Sequence, residues 1–301
     1  MSALHLWRFD WAPELRELVR REAAALGAGR EVAPGLFVGS TPFDPARGGF
    51  SLGGGELVGD VAPRTSLDLP PQTRVRVVRG PWKASGNPVD FLAHLAPGLV
   101  PGGPGGELEL YAAAERWYLV RTPPGGPWRF SSPDLPYRTS TSLASQLARA
   151  VVNLVARPGE RVLDPVCGTG VMLVEAARLG CSIVGGDLSV KACGMARANL
   201  LALELEGTIH QRDALSDHGQ APADVLIGDL PYGRRLAPCD LQPFARVLPT
   251  LARRWALVAD VDLSPALSAA GHPPDYTVRV AKPTFARTVC VGGTTGSEGP
   301  R

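Results

Sequence analysis

From about residue 140 onward, short apolar runs alternate with helical periodicities, and this alternation constrains the fold more than any other feature. Ser142–Ala156 places Leu143, Leu147, Val151, Leu154 and Val155 on one helical face, with a Ser/Thr cluster as its cap and Arg157-Pro158-Gly159 as its stop. Arg161–Asp164 then reads as a strand, Val171–Leu179 as a helix, Cys181–Asp187 as a strand and Val190–Leu203 as a helix. Asp224–Asp229 is a buried strand, Phe244–Arg253 is helical, and Trp255–Val261 is a strand. Tyr276–Val280 and Thr288–Val291 close the chain as a hairpin. Strands separated by helices in this way form βαβ units, so the fold class is α/β with a mainly parallel sheet.

The first part of the chain has a different texture. Gly48–Gly59, Pro97–Gly106 and Thr122–Pro136 are rich in glycine and proline and divide it into short pieces. Pro13–Leu26 reads as a helix, Thr73–Val78 as a half-exposed strand, and Leu108–Arg121 as two strands or one bent strand. The expected organisation is a smaller α+β domain over 1–135, an α/β domain over 136–291, and a flexible tail over 292–301.

Charge excludes little: 31 basic against 29 acidic residues leave a net +2, with no polybasic arm. Near-neutrality argues against a basic nucleic-acid glove but leaves nucleic acid open as a substrate. The start lacks the apolar run of a secretory signal, and no stretch approaches the roughly 18 apolar residues of a membrane helix. The five cysteines are odd in number, widely spaced and without C-x-x-C, so neither a disulfide framework nor a zinc cluster is expected and a reducing cytoplasm is. The histidines show no ligand spacing, and no metal is expected. P-loop and H-E-x-x-H patterns are both missing.

Chemistry concentrates where strands end. The first strand of the α/β part runs into Asp164-Pro165-Val166-Cys167-Gly168-Thr169-Gly170 and then a helix. Glycines here allow a sharp turn and close approach of a ligand. A dinucleotide fingerprint needs a third glycine where Leu173 stands, and Asp164 would repel a pyrophosphate while suiting a cationic amine. Asp187 ends the next strand, where a carboxylate accepts hydrogen bonds from ribose hydroxyls. Asp213 follows the third strand, within reach of an exocyclic amine. The fourth strand ends in Asp229-Leu230-Pro231-Tyr232-Gly233: a carboxylate, a carbonyl exposed by the following proline, and an aromatic face. Two acceptors and a ring can orient a planar group bearing an exocyclic amine. Arg234 and Arg235 lie next to this loop, in position for phosphates. The tryptophans, five of six of them in the first part, suit core anchoring better than a base-stacking platform.

The order D-P-x-C-G-T-G, Asp187, Asp213 and D-L-P-Y-G resembles Rossmann-like S-adenosylmethionine-dependent amino methyltransferases. It is most similar to the THUMP-associated tRNA/rRNA guanine-N2 methyltransferases. The helix opening Ser142-Leu143-Ala144 resembles that family's entry into the domain. The resemblance implies a Rossmann-like methyltransferase fold binding S-adenosyl-L-methionine. It assigns Asp164, Cys167, Gly168, Thr169, Gly170, Asp187, Leu188, Asp213 and Ala214 to the cofactor. It assigns Asp229, Leu230, Pro231 and Tyr232 to the target base. Within that group Asp164 would meet the methionine amine, Asp187 the ribose and Asp213 the adenine amine. Leu230 departs from the commoner D-P-P-Y, and Val166 replaces the usual Phe or Met. The family's first part would be an RNA-binding THUMP module, to which Arg74–Arg79 and Glu107–Arg121 bear a loose likeness.

The implied activity is methylation of the exocyclic N2 amine of a guanosine in RNA, with tRNA the foremost substrate, and flipping of the base out of its stack. The rival activities are DNA adenine-N6 or another amino methylation. A non-catalytic RNA-binding subunit that retains the fold is the rival from another class.

Overall fold

The computed structural model describes residues 3–44, 46–61, 69, 72–78, 80–82, 100–101, 108–113, 116–123, 131–140, 142–216, 223–230, 241–281 and 286–294. The chain forms two compact units, Met1–Phe130 and Ser131–Arg301.

Among the described residues the first unit is a mixed sheet with one α-helix. Its strands are β1 (His5–Phe9), β2 (Arg30–Ala33), β3 (Leu36–Gly39), β4 (Ser51–Val61), β5 (Arg74–Val78), β6 (Val100–Pro101), β7 (Leu108–Ala113) and β8 (Arg116–Arg121), and its helix is α1 (Arg16–Ala25). They lie in the order β2-β3-β1-β4-β8-β7-β5-β6. Among the described residues only β5 pairs in parallel, with β6 and β7. The segment Leu108–Arg121 is a hairpin, with Leu108 opposite Arg121 and Ala113 opposite Arg116. The glycine-rich stretch read as a breaker instead builds β4. A Cβ on Gly54 would stand 2.2 Å from the Leu6 carbonyl oxygen, and one on Gly55 would stand 2.1 Å from that of Arg121. Glycine there lets β1 and β8 close on β4 from both sides. Helix α1 buries Leu18, Val19 and Ala23. Its fully buried Glu22 accepts the backbone N–H groups of Gly49 (2.6 Å) and Phe50 (3.3 Å), which satisfies the charge. Trp7 and Trp117 are core residues at 1% exposure.

The second unit follows the predicted alternation. It comprises α2 (Ser145–Val155), β9 (Arg161–Asp164), α3 (Val171–Arg178), β10 (Ser182–Asp187), α4 (Val190–Ala202), β11 (Thr208–Gln211), β12 (Ala223–Asp229), α5 (Gln242–Val247), β13 (Ala252–Ala259), α6 (Ser264–Ala269), β14 (Tyr276–Ala281) and β15 (Ala286–Gly292). The sheet order is β11-β10-β9-β12-β13-β15-β14. Strand β15 runs antiparallel to both neighbours, and the other pairings are parallel. Val162, Leu173, Val174, Val225, Leu226, Ile227, Leu257, Val258 and Val289 are all fully buried. Each contributes about 1.5–3 kcal/mol through removal from water.

Three local expectations are corrected. Helix α2 starts at Ser145 behind Ala144, whose methyl offers no acceptor, so the Ser/Thr cluster does not cap it. The helix predicted over Phe244–Arg253 gives way to a 3-10 turn over Leu248–Leu251, and Ala252 already pairs with Ala223 in the sheet. Helix α6 was not anticipated, since it buries only Leu267 and shows no periodic face. At the end of the chain Gly292 closes β15, and Thr294 donates its N–H (2.6 Å) and hydroxyl (2.7 Å) to Asp275 Oδ2. The rest of the expected tail, 295–301, lies outside the described residues. Among the described residues no helix is long and apolar enough to cross a membrane, and no cluster of His, Cys, Asp or Glu could hold a metal.

The sheet order places the site. Strand β9 sits between β10 and β12, so connections leave in opposite directions from this point and open a crevice at the carboxyl ends.

Candidate active site

Strand β9 ends in Asp164, which is 2% exposed, with Oδ1 accepting the Val166 N–H at 3.1 Å. The turn that follows is fixed to β10 by the Cys167 N–H on the Gly186 carbonyl (2.8 Å). Its two glycines have different duties. Gly168 holds φ +54° and faces open space where a Cβ would be. Gly170, at φ +79°, is the N-cap of α3, and a Cβ there would meet Ala196 Cβ at 3.2 Å. Gly168 therefore leaves room at the cavity, whereas Gly170 lets α3 close on α4.

Asn199 of α4, fully buried, completes the scaffold. Its Nδ2 donates to the carbonyls of Tyr137 (2.8 Å) and Thr169 (2.9 Å), and its Oδ1 accepts the Tyr137 N–H (2.9 Å). The segment preceding α2 is thereby tied to the glycine turn. The Ser142 hydroxyl accepts the Thr139 N–H (2.9 Å) and lies 3.1 Å from the Thr169 hydroxyl.

The acids line two adjoining cavities. One, of about 230 Å³, is walled by Asp164, Cys167, Gly168, Thr169, Asp187, Asp229, Leu230 and Arg287, among others. The second, of about 560 Å³, is lined by Leu188, Asp213, Ala214 and Phe244 and shares Asp187 and Val166 with the first. Asp187 sits at the junction. Its Oδ2 accepts the Gly168 N–H and its Oδ1 the Ser189 N–H, both at 2.9 Å, which fixes the carboxylate and leaves lone pairs for a ligand. Asp213 is exposed, with Oδ1 on the Leu215 N–H at 2.9 Å. Leu188 is 71% exposed beside the second cavity.

Burial raises the Asp164 carboxyl well above the usual carboxylate range; the Val166 N–H lowers it, and the nearby charges of Asp229 and Asp187 raise it further. A cation is the ligand group that would favour its charged form. Burial, aided by Asp164 and Asp187, pushes the Cys167 thiol far upward, so it is a neutral wall rather than a nucleophile. Among the described residues a counter-charge comes from β15, where the Arg287 guanidinium lies 3.9 Å from Asp229 Oδ2.

The structure thus gathers Asp164, Cys167, Gly168, Thr169, Asp187, Leu188, Asp213, Ala214, Asp229 and Leu230 onto one cleft, and sets Gly170 behind its wall. Pro231, Tyr232, Arg234 and Arg235 lie outside the described residues. Arg287, Asn199 and Phe244 are additions. Phe244 sits in a predicted helix as an ordinary apolar residue, and neither Arg287 nor Asn199 belongs to a recognisable motif.

The sheet order β11-β10-β9-β12-β13-β15-β14, with only β15 reversed, is that of a Rossmann-like methyltransferase fold. Residues 135–240 match the family model described as UPF0020: RMKL-like, methyltransferase domain. The chain is 34% identical over 100 residues to the tRNA (guanine(10)-N2)-dimethyltransferase of Methanothermobacter thermautotrophicus, covering 33% of this chain and 30% of that relative. It is 34% identical over 155 residues to the tRNA (guanine(6)-N2)-methyltransferase of Thermus thermophilus, covering 47% and 45%. The chain thus spans less than half the length of these curated relatives. The solved structure of SMU.472 complexed with SAH superposes with a TM-score of 0.53 at 18% identity, over 100% of this chain and 99% of that one. This last likeness is one of fold.

Proposed function

We propose that the chain is an S-adenosylmethionine-dependent methyltransferase acting on the exocyclic N2 amine of a guanosine in RNA, with tRNA as substrate, in the cytoplasm. The observation that carries this reading is the two-part cleft with Asp187 at its junction, buried Asp164 at one end and exposed Asp213 at the other. Such a cleft fits a ligand with an amino-acid head, a ribose and a purine. The fit is chemical: Asp164 lies where a positive charge is favoured, and Gly168 leaves a space free of side chain. The cofactor, when bound, supplies an electrophilic methyl group. Asp164 would hold its ammonium, Asp187 its ribose hydroxyls and Asp213 its adenine amine, while Leu188, Ala214 and Phe244 enclose the ring. The names of both tRNA-methylating relatives support the choice of guanine in tRNA.

Asp229 and the Leu230 carbonyl would accept the N–H groups of the target amine and turn its nitrogen toward the cofactor, a gain of proximity and orientation. Burial of Leu230, at 3% exposure, with its N–H on the Val258 carbonyl (3.0 Å), holds that end of the loop still. The test is Asp229→Ala: calorimetry reads undiminished S-adenosylmethionine binding, while methyl transfer to unmodified tRNA transcripts falls at least a hundredfold. Full activity in that variant would sink the reading. Nucleoside mass spectrometry of the wild-type product should give N2-methylguanosine, and N6-methyladenosine would overturn the base assignment.

A further inference from the structure

The proposed reading leaves Arg287 without a task, although it stands in the acidic cavity. Its strand explains how it gets there. Because β15 is antiparallel to β13, the start of β15 lies at the carboxyl ends of the parallel strands. Thr288 pairs with Ala259 and Val258 pairs with Asp229, so the residue before Thr288 can reach the end of β12. The side chain is 14% exposed, and its Nη2 lies 3.9 Å from Asp229 Oδ2. That separation is an ion pair but too long for a hydrogen bond. Among the described residues, the other titratable groups of the cavity are acidic or neutral: Asp164 from β9, Cys167 from the turn after it and Asp187 from β10.

We propose that Arg287 is a positioning residue for the Asp229 carboxylate, keeping it charged and aimed as an acceptor among the neighbouring acids. The inference rests on Asp229 being the acceptor for the target amine. Carboxylates that share a site cannot all ionise cheaply, and buried Asp164 already leans on the charge of Asp229. Arg287 decides the contest in favour of Asp229. Asp164 in turn gains most from a cation brought by the ligand.

The test compares wild type, Arg287→Met and Arg287→Lys. Binding of S-adenosylmethionine by Arg287→Met should stay within about twofold, while kcat on unmodified tRNA transcripts drops about tenfold at pH 7. The acid limb of its pH–rate profile should move upward, so that the deficit shrinks as pH rises, and Lys should restore most of the rate. A purely structural role would lower thermal stability and leave the acid limb in place. In parallel, NMR of protein labelled with 13C-carboxyl aspartate follows the titration of Asp229 with cofactor bound and no RNA. An upward move in Arg287→Met supports the inference even if wild type proves inactive on RNA, in which case the proposed substrate fails alone. An unmoved Asp229 titration, or loss of cofactor binding with an unmoved acid limb, overturns the inference.

Discussion

The backbone N–H of Gly168 donates to Oδ2 of Asp187 at 2.9 Å, joining the glycine turn after β9 to the acid that ends β10. Turn and acid are therefore one unit, and disturbing either should disturb both.

Asp187→Ala removes the acceptor of both the Gly168 and Ser189 N–H groups. We expect a loss of about 1–3 kcal/mol of stability for the donors left unsatisfied, together with at least tenfold weaker S-adenosylmethionine binding. Glycine substitutions separate the two effects. Gly168→Ala meets open space and costs about 1–2 kcal/mol of backbone strain, with its main penalty at the cavity. Gly185→Ala would set a Cβ 2.5 Å from Leu173 Cδ1 and 2.6 Å from Ile209 Cδ1, overpacking the core by about 1–3 kcal/mol. Chemical denaturation and calorimetry check both. Equal binding losses from equal stability losses would refute the separation.

Asp164 gives a pH dependence with a definite sign. Its carboxyl is raised in the folded chain, chiefly by burial, so the folded state keeps a proton that the unfolded state releases in the ordinary aspartate range. The contribution of this group to stability is present at low pH and declines as pH rises from that range toward the folded value. An ammonium placed on Asp164, as proposed above, would favour the charged form and expel the proton. Titrating S-adenosylmethionine in two buffers of different ionisation enthalpy should reveal proton release, and Asp164→Asn should abolish it while flattening the pH dependence of stability. Buffer-independent heats in wild type would count against this account.

The scaffold of the cleft depends on a buried ion pair. Arg149 of α2 and Glu175 of α3, at 2% and 0% exposure, meet at 2.9 Å, and Arg178 adds a second contact at 3.2 Å. Burial raises the Glu175 carboxyl, while both arginines pull it back down. Arg149→Met should cost about 3 kcal/mol, more at pH 8 than at pH 5, because the acid left behind resists charging. The double variant Arg149→Met/Glu175→Leu should recover most of that loss in urea unfolding. No recovery would mean that the pair contributes shape rather than charge compensation.

What could be read from the sequence follows from range. Asp164, Asp187, Asp213 and Asp229 announce themselves because each ends, or closely follows, a strand in a regular alternation, and strand ends in such a sheet converge on one edge. Arg287 reaches that edge only because the last strand runs backwards between β13 and β14, a pairing that local pattern does not encode. Asn199 sits mid-helix in α4 and shows its purpose only once α4 is packed beside the glycine turn. In the first unit the helix over Arg16–Ala25 was legible. Strand β4 was not, because its glycines answer the carbonyls of Leu6 and Arg121, which are distant in the chain.

The junction between β9 and β12 has a consequence for how this pocket can change over generations. Residues 161–214 line both parts of the cleft from uninterrupted βαβ units, and residues from 223 onward add Asp229, Leu230 and Arg287 to one part and Phe244 to the other. The two stretches are stitched side by side by Val162 opposite Val225 and Leu163 opposite Leu226. Drift in the later stretch can therefore re-tailor its share of the pocket wall while the hydrogen bonds within the earlier stretch, Gly168 to Asp187 among them, pass on unaltered.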